Sequence, residues 1–170
     1  MIRLDGATVL LQWAAGGWIF LWVTTRRREV GLGYGWLQRA VFLLMALGSL
    51  AAAFITTPTW SREIATMAFI AVGVVALGVS LARRSAGVAG QREVVERRSG
   101  RVAEMTGIDR DEQRFDKDAP EFPPVLDLAA GCVGMVAVVV ASVAAGDPVA
   151  LSVFRGVVSA LFLGAVTDAM

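Results

Sequence analysis

An all-helical, polytopic membrane bundle of about five spans is the fold class this sequence predicts, and three observations predict it. Hydrophobic residues make up 56% of the chain and charged residues 18%, below the roughly 25% charged of a soluble domain. Mean hydropathy is +0.62. The apolar residues are also gathered into five runs, 7–25, 40–57, 64–82, 128–145 and 149–167, each close to the ~20 helical residues that cross ~30 Å of hydrocarbon. In lipid, every backbone N–H and C=O must be paired within the chain, so runs of this length are read as helices.

The first run follows Arg3 and could be taken for a secretory leader. Its flanks argue for a retained span: RRR at 26–28 follows it, and no A-x-A-type site closes it. GLGYG at 31–35 lacks the spacing of a phosphate loop and reads as a turn at the membrane surface. The short TTPTWSRE, 56–63, turns the chain into the third run, and GDPV joins the last two. Residues 83–124 form the one sizeable polar stretch. The chain thus divides into a three-span region, 1–82, a charged loop, 83–126, and a two-span hairpin, 127–170.

Charges in the loop are sorted. Residues 83–104 carry a net +3 and residues 105–121 a net −3. In the basic half, Val95, Val102, Met105 and Ile108 recur near helical spacing with Arg97, Arg98 and Arg101 between them, which fits a short amphipathic helix on the membrane surface. Gly100 and Gly107 weaken a helix, so a solvated linker is the alternative. The acidic half offers Asp109, Asp111, Glu112, Asp116 and Asp118, but Gln113, Arg114 and Pro120 stand where a calcium loop needs ligands and a glycine. Pro120, Pro123 and Pro124 stiffen the approach to the fourth run, and Asp127 sits where a carboxylate caps a helix N-terminus.

Thirteen of the sixteen basic residues fall in two alternate connections: Arg26, Arg27, Arg28 and Arg39 in the first, Arg83 to Lys117 in the second. The positive-inside rule then places these connections in the cytoplasm, the N-terminus outside and the C-terminus inside. Arg26, Arg27, Arg28, Arg83 and Arg84 are the residues expected at lipid headgroups. Trp22, Trp36 and Trp60 fall at the expected interfaces, while Trp13 and Trp18 lie deeper and are read as packing against helices.

Small residues mark two faces. Ser152, Gly156, Ala160 and Gly164 recur every fourth residue in the last run, and Ala137, Ala141 and Ala145 in the fourth; such stripes let helix backbones approach. Arg155 lies on another face of the last run, within reach of the outer acids Asp5, Glu63 and Asp147. An intramembrane charge is a functional candidate by default. Cys132, the sole cysteine, excludes an intrachain disulfide and reads as a small packing residue.

The chain has no histidine, so imidazole-based haem, copper and zinc sites and the commonest general base are excluded within it. No cofactor, metal or nucleic acid is expected, and no catalytic residue stands out. The leading expectation is a non-enzymatic subunit of a membrane complex whose partners are the lipid bilayer and other membrane proteins. The alternative is a transporter or channel component, a piece of a larger permease, with Arg155 contacting an anionic solute.

The closing GAVTDAM, with fifteen Arg against one Lys, resembles uncharacterised multi-pass membrane proteins of high-GC actinobacteria. That resemblance covers seven residues and implies a helix that runs on into further spans. Asp168 and Met170 end the last run without a basic anchor, as expected of a chain cut short.

Overall fold

A computed structural model describes residues 5–26, 32–56, 58–87, 89–107, 119–145 and 148–168, the side chains of 32, 89–92 and 168 excepted. Six α-helices account for most of them: α1 Gly6–Thr25, α2 Leu32–Ile55, α3 Trp60–Ala82, α4 Ala89–Thr106, α5 Val125–Ala144 and α6 Val149–Asp168. All but α4 are long and apolar enough to cross a membrane; twenty helical residues span about 30 Å.

Local chemistry sets the helix ends. Asp5 caps α1, its carboxylate accepting from the Ala7 N–H at 3.2 Å. At the other end, the Thr24 and Thr25 hydroxyls donate back to the Leu21 carbonyl. Glu63, in the first turn of α3, accepts from the Thr59 N–H at 3.1 Å and supplies a cap that Thr59 itself does not. Gly107, with φ +67°, ends α4 by donating to the Ala103 carbonyl; glycine takes that left-handed conformation without a steric penalty.

The first helix is the hub. It packs against α2, α5 and α6, while α3 closes the bundle between α2 and α5. No large apolar side chain of α1 is exposed, whereas α2, α3, α5 and α6 turn Leu44, Phe54, Ile64, Val74, Val136 and Phe162 outward. Water would penalise so many exposed apolar side chains on otherwise well-packed helices, and hydrocarbon would not. At the centre, Trp18 of α1 meets Phe69 of α3 edge-on at 5.6 Å and Phe42 of α2 at 6.4 Å between ring centroids. A Cβ on Gly73 would fall 2.9 Å from the Trp18 ring, so glycine makes room for the indole.

Several elements differ from the sequence reading. GLGYG is not a surface turn: Leu32 to Gly35 already belong to α2, which starts eight residues before the apolar run at 40. Hydropathy marks the stretch that needs lipid, and a helix continues past it wherever its polar residues find partners. For the same reason α5 begins at Val125, which places Asp127 within its first turn, where its carboxylate makes no capping bond. The basic loop half forms α4, longer than the 95–108 stretch expected, while the acid-rich residues 109–118 lie outside the described ones. Cys132 faces outward on α5 instead of packing inside.

Candidate functional site

Both ends of the bundle hold a buried polar cluster. At one end the sequence places Arg39 in α2 and Asp127 in α5, 2% and 0% exposed. Arg39 Nε donates to Asp127 Oδ1 at 2.8 Å and Nη2 to Oδ2 at 2.5 Å, the bidentate fork that matches guanidinium to carboxylate. Nη1 donates to Ser80 Oγ of α3 at 2.9 Å. From α1, Trp18 Nε1 donates to Oδ1 at 3.3 Å and Thr25 Oγ1 to Oδ2 at 3.1 Å. The Phe122 ring covers the guanidinium, 3.9 Å from Cζ to its centroid, a cation–π contact made available by the proline-rich approach to α5. A Cβ on Gly35 would lie 2.9 Å from Nη1, so this turn of α2 leaves space for the arginine head.

The arrangement ties four helices to one ion pair. Asp127 Oδ1 accepts from Trp18 and Arg39, and Oδ2 accepts from Arg39 and shares the single Thr25 O–H with the Leu21 carbonyl, which leaves little lone-pair capacity for a substrate or metal. Removing two charges from water costs several kcal/mol per ion, repaid only by close geometry and complete hydrogen bonding of this kind. The site is therefore suited to fixing helix register and not to chemistry.

At the opposite end, Arg62 of α3 donates from Nη1 to Asp5 Oδ2 at 3.0 Å and from Nη2 to Glu63 Oε1 at 2.8 Å. Asp5 thus caps α1 and pairs with α3 at once. Nearby, Ser49 of α2 donates to the Ala7 carbonyl at 2.6 Å. Glu63 is 1% exposed, so Arg62→Ala would leave it buried beside one fewer cation. A stability loss of about 3 kcal/mol is expected, read as a lower melting temperature in detergent; an unchanged melt would show the cluster to be dispensable.

Arg155 takes no part in either cluster. It is the seventh residue of α6, about 9 Å from the helix start, and is exposed on the outward face beside Phe154, Val158 and Phe162. Asp5 and Glu63, two of its anticipated partners, are engaged by Arg62, and Asp147 lies outside the described residues. Among the described residues Arg155 has no ion pair.

The small-residue stripe of α6 is placed against two helices. Ala160 and Gly164 meet α1: a Cβ on Gly16 would stand 1.7 Å from the Ala160 carbonyl oxygen, and one on Gly164 2.3 Å from the Gly16 carbonyl. Gly156 meets α5, where a Cβ would come within 2.2 Å of Ser142 Oγ and 3.5 Å of Val138. Ser152 is half-buried. Ala137 and Ala141 are buried in the core, and Ala145 is exposed at the end of α5. Trp13 Nε1 donates to Thr167 Oγ1 at 2.6 Å, a second tie between α1 and α6.

Of the arginines expected at headgroups, Arg26 and Arg84 are exposed, with Arg26 5.2 Å from the Trp22 ring centroid. Arg83 is half-buried and donates to the Glu121 carbonyl at 2.9 Å. Arg27 and Arg28 lie outside the described residues.

Sequence reasoning missed the Arg39–Asp127 pair. Arg39 reads there as one more basic residue of a connection and Asp127 as a cap. The available signal was that both fall at the same end of the bundle when spans are counted, Asp127 being the lone acid at the head of an apolar run. Among the described residues, no three His, Cys, Asp or Glu side chains gather as a metal ion would require.

Fold and clusters together define a class: an all-helical protein with five helices long and apolar enough to cross a membrane, tied by the buried Arg39–Asp127 and Arg62–Glu63 pairs and the part-buried Arg62–Asp5 pair. No protein-family model, curated protein or solved structure matches this chain.

Proposed function

We propose that this chain is a non-enzymatic structural or accessory subunit of a membrane complex, seated in a bacterial plasma membrane with the Arg39–Asp127 end toward the cytoplasm. One observation carries the reading. The inward charges at both ends are paired within the bundle, Arg39 with Asp127 and Arg62 with Asp5 and Glu63, while Arg155, at membrane depth on the most outward-facing of the five long helices, has no ion pair among the described residues. A guanidinium held among exposed Phe154, Val158 and Phe162 favours a partner that brings a carboxylate to that face. The distribution of Lys and Arg supports the orientation.

Co-purification in mild detergent tests the proposal. The native chain is expected in a defined complex with other membrane proteins, and Arg155→Ala is expected to weaken that complex by tenfold or so, about 1.4 kcal/mol, without changing the melt of the isolated chain. Recovery only as a lone monomer would overturn the subunit reading.

A further inference from the structure

The geometry points to a second, peripheral membrane contact: we propose that the exposed face of α4 formed by Val94, Arg98, Arg101 and Met105 binds the anionic lipid surface beside the Arg39–Asp127 end of the bundle.

Residues of a helix turn by about 100° each. Val94, Arg98, Arg101 and Met105, at spacings of four, three and four, therefore share an arc of roughly 60°. All four are exposed, Val94 at 56% and Met105 at 79%. Glu93, Glu96 and Glu104 fall on a separate arc, centred roughly 120° away, and Arg97, between the two sets, is paired with Glu93. Arg98 and Arg101 are paired with no acid among the described residues. The result is a strip with an apolar side chain at each end and, between them, two guanidiniums that meet no acid among the described residues, while the acids of α4 itself sit elsewhere.

That order fits a headgroup layer. Val94 and Met105 can enter the acyl boundary while the two arginines meet phosphates, the division of labour of an interfacial helix. Placement agrees, because only residues 83–88 separate α4 from α3, and within them Ala86 is fully buried and anchors the turn Arg84–Ala86. The contact also accounts for a helix whose own resources are modest: eighteen residues interrupted by Gly100 are marginal in water.

The test uses the full chain in lipid nanodiscs, with amide hydrogen exchange read over α4. In discs containing phosphatidylglycerol, exchange between Val94 and Met105 is expected to be about tenfold slower or more than in pure phosphatidylcholine, as two basic residues near an anionic surface imply. Raising salt should narrow the difference. Arg98→Glu with Arg101→Glu should abolish it, whereas Arg98→Lys with Arg101→Lys should keep most of it; unchanged exchange in α1 would show that each variant still folds. Equal exchange in the two lipids would overturn the proposal, as would protection that appears only with a co-purified protein bound to α4.

Discussion

Asp127→Ala is expected to destabilise the bundle by about 3–5 kcal/mol, the loss typical when one member of a buried pair is removed and the other stays behind. Arg39 is 2% exposed, and without Asp127 it would retain Ser80 and the Phe122 ring but no anion. Trp18 would lose its acceptor as well, while Thr25 would keep the Leu21 carbonyl, so the damage reaches α1, α2 and α3 together. Reversible unfolding in mixed detergent micelles reads the effect. Arg39→Met combined with Asp127→Leu should cost less than Asp127→Ala alone, because it leaves no orphaned charge. If Asp127→Ala unfolded like the native chain, the ion pair would not be the tie between helices that its geometry implies.

Gly16→Ala is expected to have the next largest effect. The added methyl would meet the Ala160 carbonyl oxygen at 1.7 Å, and backbone cannot swing aside as a side chain can. Overpacking in a core costs typically about 1–3 kcal/mol, and a clash with backbone on both helices belongs at or above the top of that range. The change should lower the melting temperature and loosen α6 from α1, visible as faster amide exchange along α6. Gly78→Ala is the matched control: it sits in α3 with nothing within 4 Å of its Cβ, so its effect should stay within about 1 kcal/mol. Similar melts for the two variants would refute the close crossing of α1 and α6.

These two sites show how legibility is distributed in the molecule. The stripe Ser152, Gly156, Ala160 and Gly164 can be seen in the sequence because it is periodic within one helix. Its counterpart, Gly16–Gly17, has no period and reads as two glycines in an apolar run. Which helix covers a small face depends on how the whole bundle closes, and the short GDPV connection suggests only α5. The structure places α6 against α5 through Gly156 and against α1 through Ala160 and Gly164. Arg155 was legible as a charge at membrane depth, but its outward direction was not, since that depends on which face of α6 the neighbours cover.

Composition and run length were enough to establish the all-helical class, the five long apolar helices and their approximate bounds, because the bilayer imposes a length and a backbone-pairing rule that act on each segment separately. The buried pairs needed the assembled bundle. Arg39 and Asp127 are 88 residues apart, and a lone charge beside an apolar run looks the same whether it faces water or another helix. Burial converts it from a solvated boundary residue into a tie between helices, since a charge taken out of water persists only where a partner is already held in place.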